Sequence, residues 1–160
     1  MAKLEISMTP GEVNAFLATG RTVRLATAAA DGTPHVVPLW FVWDHGAMYL
    51  NTTLGNVTVD NIGRSGTASG VVDDGEGYDD LRGVTVTGSV ERLEGDAPPE
   101  VERAWSVKYL AGMEPPYKHW RNRAWFLLTP ARVASWDFRK IPEARAKRDR
   151  ERAARAGGGD

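Results

Sequence analysis

Residues 49–64, YLNTTLGNVTVDNIGR, set three short polar side chains, Asn51, Thr52 and Thr53, at the end of an apolar run. Gly55 and Asn56 follow, and then Val57, Asn61 and Ile62 recur at helical spacing. A strand that feeds a helix N-terminus in this way brings hydroxyls and unsatisfied backbone N–H groups together, which is how many proteins hold phosphate. No Lys or Arg occurs between Arg24 and Arg64. The stretch therefore reads either as an anion cradle without a cation of its own or as a plain turn.

Other chemistry has little footing. The chain contains no GxSxG, HExxH, P-loop or GxGxxG pattern, and His35, His45 and His119 are scattered with no partner at ligand spacing. His35 precedes a strand and His45 falls in a turn, so both read as exposed polar residues; His119, in PPYKHWRNR, can line a pocket. Asp73-Asp74 and Asp79-Asp80 flank GEGY in a Gly-rich segment that reads as a solvated loop and not as a preorganised metal site. No catalytic residue and no metal ligand follows from these patterns, with Tyr109 and His119 the only candidates for donating a proton to a substrate.

Composition bounds the class. With 160 residues and 42% hydrophobic content the chain can build one core. No cysteine is present, so disulfides, thiolate catalysis and cysteine-ligated metals are excluded, and a cytoplasmic location is expected. No window approaches the ~20 apolar residues of a membrane span, and the N-terminus lacks the apolar core of a signal peptide. The formal net charge is -1. From Arg139 onward eight basic residues stand against four acidic ones, while the preceding residues are acidic on balance. The basic end interleaves Glu and Asp and carries no aromatic side chain after Phe138, so neither nucleic acid nor a membrane is expected as partner.

The elements that must position these residues are legible from period and punctuation. Thr9-Pro10-Gly11-Glu12 is a capping box, and Val13, Phe16 and Leu17 form one apolar face, which predicts a helix over 10–19. RTVRLATAAA and HVVPLWFVWD, separated by DGTP, read as antiparallel strands, and DHG turns the second into AMYLNTT. On the second strand Trp40 and Val42 should face one side, and Phe41 and Trp43 the other. GTASGVVDD and LRGVTVTGSVERLEG are further strands; DAPPEVERAWSVKYLAG opens with Asp96 and a Pro pair and is helical; NRAWFLLTPARVASWDF is extended but broken at Thr129-Pro130. Residues 139–160 can be helical for a few turns, lack an apolar face, and are expected to be a charged, flexible tail on a single domain spanning 1–138. The whole is a mostly β chain, a small closed or split barrel with flanking helices.

The order of LATAAADGTPHVVPLWFVWDHGAMYLNTT, TASGVVDD, LRGVTVTGSVERL and LTPARVASWDFRK resembles the pyridoxamine 5'-phosphate oxidase-like split-barrel superfamily, and within it the B group of flavin and deazaflavin oxidoreductases. The resemblance covers roughly residues 13–139. It implies a six-stranded antiparallel split barrel of the FMN-binding type and a homodimer with cofactor sites at the subunit interface. It also implies FMN or the deazaflavin coenzyme F-420 as cofactor, and hydride transfer to or from a small unsaturated or cyclic substrate. By the same resemblance Val37, Pro38, Leu39 and Trp40 run along the cofactor ring. Asn51, Thr52 and Thr53 contact its phosphate and ribityl chain, and Asn56, Val57, Thr58 and Asn61 continue the phosphate site, with Val57 and Thr58 standing where the family carries basic residues. Arg82 and Trp136 would come from the partner subunit. The alternative is a non-catalytic split-barrel protein that carries a flavin, haem-like or lipid-like ligand.

Overall fold

The computed structural model describes residues 4–116 and 122–156. The first helix, α1 (Pro10–Thr19), has the bounds its capping box predicts: Glu12 N donates to Thr9 Oγ1 at 3.3 Å and Thr9 N donates to Glu12 Oε2 at 2.7 Å. Then come β1 (Val23–Ala28), β2 (Pro34–Leu39), β3 (Phe41–Asp44), β4 (Ala47–Thr53), α2 (Val57–Ser65), β5 (Thr67–Asp74), β6 (Arg82–Arg92), α3 (Pro99–Leu110), β7 (Arg123–Asp137) and α4 (Ile141–Ala156). The turn at Asp31-Gly32 is held by Thr33 N donating to Asp31 Oδ1, and Gly32 supplies a positive φ of 85°. His45 and Gly46, with φ of 46° and 79°, form the two-residue turn between β3 and β4, as a tight hairpin requires.

All seven strands form one antiparallel sheet in the order β2-β1-β5-β6-β7-β4-β3. The strands at its two ends, β2 and β3, are successive pieces of chain separated only by Trp40. The sheet therefore curls until its ends meet, and the split barrel expected from the sequence is present. The segment HVVPLWFVWD, read there as one strand, bends at Trp40 and passes from one edge of the sheet to the other, which is why seven strands stand where six were expected.

Alternation fills the interior. Leu25, Phe41, Met48, Leu50, Val86 and Leu128 are almost wholly buried inside the curl, and α1 adds Val13, Phe16 and Leu17 while α2 adds Ile62. The two helices sit at opposite ends. α1 meets the start of β1, where the missing Cβ of Gly20 leaves room for Val72 and Phe41; α2 meets the end of β1, where Asn61 bonds Thr27. A second apolar cluster lies outside the sheet, where α3 sets Val101 and Trp105 against Val42 and Trp125. Trp40 joins that outer side while Phe41 and Trp43 face inward, which is the alternation expected of this segment.

The bend is clamped by α3. Tyr109 stacks on Trp40 with ring centroids 4.4 Å apart and planes 4° from parallel. Its hydroxyl accepts from Phe41 N at 3.0 Å and lies 2.8 Å from the carbonyls of both Phe41 and Arg21. Lys108 Nζ donates to the Phe41 carbonyl at 3.1 Å and sits 4.2 Å from the Phe41 ring centroid. Burial, with the nearby Arg21 charge adding to it, pulls the Lys108 amine down to about 8.

One other expectation needs correcting. NRAWFLLTPARVASWDF is not broken at Thr129-Pro130: β7 runs unbroken for 15 residues and takes up Pro130 in a β-bulge, where β6 shifts register between Thr87 and Gly88. A Cβ on Gly88 would lie 1.9 Å from the Thr129 carbonyl oxygen, so the bulge needs glycine opposite it. The helix expected after the Pro pair is present as α3, with Pro98 as its N-cap and no side-chain bond there. Residues 141–156 form the helix α4, in keeping with the helical turns the sequence allows there, with Ile141 and Ala144 buried and the preceding Lys140 Nζ 2.6 Å from Glu12 Oε2. That ammonium and the Thr9 cap hold the Glu12 carboxyl down to about 2.

Two measurements check this fold. Gly88→Ala should cost roughly 2 kcal/mol or more in chemical denaturation, whereas Gly63→Ala, in α2 with nothing within 4 Å of the added methyl, should gain about 0.5–1 kcal/mol. Lys108 gives a pH signature. Its folded pKa, about 8, lies below the ordinary 10.5, so the burial penalty is fully present below pH 8. Between pH 8 and 10.5 the unfolded chain binds the extra proton and stability rises with pH. Lys108→Met should remove that rise from the stability–pH profile, and an unchanged slope would show the amine to be solvated.

Candidate functional site

The junction of β4 and α2 builds the site. Asn51 and Thr52 are buried at the end of β4, and Thr53 is half-buried. The chain then crosses Gly55, whose φ of 75° favours glycine, and Asn56 caps α2 by accepting from Val59 N at 3.0 Å. Asn56 Nδ2 also donates to Thr52 Oγ1 at 3.3 Å, which fixes the helix against the strand that precedes it. A helix leaves its first N–H groups without intrahelical acceptors; the cap serves Val59, and those of Val57 and Thr58 open the helix. Asp60 also lies in this first turn, so the one charge α2 itself carries there is negative.

Val57 and Thr58, the positions where basic residues were expected, are not equivalent. Val57 is 52% exposed at the first helical position. Thr58 is only 3% exposed and turns under the helix, its Oγ1 3.1 Å from His35 Nε2. His35, read from the sequence as an exposed residue, is half-buried by that contact. Asn61 is also buried, donating from Nδ2 to Thr27 Oγ1 at 3.0 Å and accepting from Arg64 at 2.9 Å. Arg64 reaches the Ala28 carbonyl from the last turn of α2, so its charge stands at the wrong end of the helix for the cradle.

A guanidinium nevertheless reaches this junction from another strand. Arg123, the first residue of β7, pairs in register with Thr53. Its Nε donates to Asn51 Oδ1 at 2.7 Å, one terminal nitrogen donates to Thr53 Oγ1 at 3.3 Å and the other to the Asn51 carbonyl at 3.1 Å. Sequence reasoning misses Arg123 because it lies 70 residues from Thr53. Only its place at the start of an extended segment hinted at a strand-end position.

On β2 the side chains divide by face. Val37 and Leu39 pair with Leu25 and Val23 and are half-buried toward the interior. Pro38 is exposed on the outer face, as are Val36 at 59% and, at the bend, Trp40 at 43%. These three make an apolar strip that faces outward from β2, while His35 on the same strand touches α2 through Thr58. Such a wall beside an anion cradle suits a planar ring carrying a phosphate tail.

Arg82 and Trp136 lie elsewhere in the chain. Arg82 opens β6, donates to Asp74 Oδ2 from Nε at 3.3 Å and from a terminal nitrogen at 2.8 Å, and stands 5.1 Å from the Phe16 ring centroid at the α1 end. Trp136 covers Gly83, whose Cβ would lie 2.3 Å from the indole. Within one chain neither meets the β4–α2 junction. His119 lies outside the described residues, and Tyr109 is engaged in clamping the bend. Among the described residues no group of three or more His, Asp or Glu is placed to hold a metal ion.

A family model described as pyridoxamine 5'-phosphate oxidase matches residues 9–137. The chain belongs to this family. No curated protein matches it. Among solved structures, a conserved hypothetical protein from Mycobacterium tuberculosis is 28% identical, with 89% of this chain and 92% of that one covered and a TM-score of 0.76. An FAD-binding protein from Mesorhizobium loti is 25% identical, covering 81% of this chain and 94% of its own at a TM-score of 0.63. A structure described as an F-420 reductase is 25% identical, with 78% and 98% covered and a TM-score of 0.59. The first turn of α2 in this chain carries Val57 and Thr58 and no cation.

The different burial of these two positions is testable by stability alone. Thr58→Lys must bury an ammonium or break the contact with His35 and should cost about 2 kcal/mol or more. Val57→Lys, already in solvent, should stay within about 1 kcal/mol, the scale of an unfavourable helix-dipole contact. Equal losses in denaturation would show that Thr58 does not face inward.

Proposed function

We propose that this member of the pyridoxamine 5'-phosphate oxidase family binds a flavin-type cofactor, FMN or the deazaflavin F-420, along the outer face of β2, with its phosphate at the β4–α2 junction. One observation carries the reading. The polar end of β4 and the opening N–H groups of α2 stand at one end of an exposed apolar strip, Val36, Pro38 and Trp40, on the neighbouring barrel wall. The residues present fit such a group: hydroxyl and amide donors from Asn51, Thr52 and Thr53, backbone donors at Val57 and Thr58, and an apolar wall for the ring. The relatives described as an FAD-binding protein and an F-420 reductase support it at 25% identity each.

A bound flavin or deazaflavin supplies hydride-transfer chemistry. The chain's own residues bind and orient; Trp40, held parallel to Tyr109 and edge-on to Trp105, keeps a fixed angle to the strip. In this reading the protein is a homodimer whose partner completes the groove with Arg82 and Trp136, and it works in the cytoplasm. Turnover of a small unsaturated or cyclic substrate is the second reading, favoured by the likeness to the F-420 reductase.

Fluorescence titration of FMN and of F-420 tests the proposal, with micromolar or tighter binding of one of them expected. Failure of both at that concentration would sink it. Val57→Lys, which adds a cation at the exposed first position of α2, should tighten FMN about tenfold, the value of one charge-assisted hydrogen bond, while leaving riboflavin unchanged. An equal gain for both would place the phosphate elsewhere.

A further inference from the structure

A phosphate at this junction must be held by a helix whose first turn carries Asp60 and no Lys or Arg. We infer that Arg123 is the residue that makes this junction selective for a phosphomonoester, by setting Asn51 and Thr53 as donors and by placing a guanidinium directly behind them. This rests on the cofactor reading above, in its FMN form because the phosphate of F-420 is a diester, and names what fixes the phosphate end.

Hydrogen-bond polarity at the guanidinium sets the direction of its partners' protons. A hydroxyl has one proton, and a guanidinium only donates. Because Arg123 donates to Thr53 Oγ1, the hydroxyl proton of Thr53 has to point away from the guanidinium and serve some other acceptor. Asn51 is constrained in the same sense. Its Oδ1 accepts from Arg123 Nε, which turns the amide so that Nδ2 with its two protons is directed elsewhere. The third bond, from the guanidinium to the Asn51 carbonyl, fixes the arginine to the same residue's main chain and lets none of the three groups rotate independently.

An arginine in this position therefore converts two ambivalent polar side chains into donors. Asn56 is kept out of competition: its Oδ1 is committed to Val59 N and its Nδ2 to Thr52. A neutral polyol can exchange donor and acceptor roles and gains little from such an arrangement. A phosphomonoester dianion, which only accepts, gains from every donor and from the positive charge. The charge also enters from β7 without occupying the first turn of α2, which explains how Val57 and Thr58 can lack cations without abolishing the site.

The test compares FMN with riboflavin by fluorescence titration on the full chain and on Arg123→Gln, Arg123→Lys and Thr53→Val, with thermal melting of each. FMN should bind the unaltered chain at least tenfold more tightly than riboflavin, the scale of one charge-assisted hydrogen bond. Arg123→Gln should lose about tenfold or more toward FMN and less than about threefold toward riboflavin, and Arg123→Lys should recover part of the FMN loss because it keeps the charge without the fork. Should Arg123→Gln fail to fold, Thr53→Val, which leaves the bonds between Arg123 and Asn51 in place, still has to weaken FMN selectively. Equal losses toward both ligands would overturn the inference and make Arg123 a structural residue, leaving the flavin reading intact. An unaltered chain that binds neither ligand, nor F-420, would overturn the flavin reading itself and this inference with it.

Discussion

The bend at Trp40 is the constraint on which the rest of the molecule depends. A single residue links the strand that pairs with β1 to the strand that pairs with β4, so one segment of chain joins the two ends of the sheet order. An unclamped bend would leave the two pieces independent, because no hydrogen-bond ladder runs through Trp40 itself. The clamp comes from α3. Tyr109 and Lys108 converge on the main chain of Phe41, and the rings of Tyr109 and Trp105 hold the indole of Trp40 from two directions. Packing inside the barrel and packing outside it therefore meet at adjacent residues, Phe41 within and Trp40 without.

The position of the candidate site follows from that closure. With β2 turned along one side of the barrel, its outer residues stay uncovered while α3 shields β3 and β4, so an apolar wall is left beside the mouth that α2 closes. At this mouth the buried polar groups are paired inward: Thr58 with His35, and Asn61 with Thr27. Such pairing is what makes burial of these side chains tolerable, and it holds α2 in one orientation. The opposite end is closed by α1 and is rich in ion pairs, with Arg82 on Asp74 and Lys140 on Glu12. Those exposed pairs contribute little each, and their clearest effect is to tie the beginning of α4 to the body.

Much of this was legible in the sequence, and the division has a physical basis. Four residues encode the capping box of α1, and two encode the hairpin turn at His45 and Gly46, so local chemistry announces those elements fully. Alternation likewise gave the opposite facing of Trp40 and Phe41. The bend itself has no local mark, since nothing in HVVPLWFVWD distinguishes a continuous strand from one that changes partners midway. Pro130 reads as a strand breaker because the bulge that accommodates it depends on Gly88, more than 40 residues earlier. The site divides in the same way. The strand-to-helix outline of residues 49–64 is local, but the role of Arg123 is a matter of register between strands far apart in sequence, and the burial of Thr58 depends on where His35 arrives.

The central claim, that the β4–α2 junction and the outer face of β2 form one binding groove, is most directly tested by titrating FMN into isotopically labelled protein and following amide, arginine Nε and indole signals by NMR. If they form one groove, concerted shifts are expected at the amides of Val57 and Thr58, at Arg123 Nε–H and at the Trp40 indole, all saturating at one ligand concentration. Shifts confined to the α1 end around Arg82, or a Trp40 signal that ignores the ligand while the α2 amides respond, would contradict it.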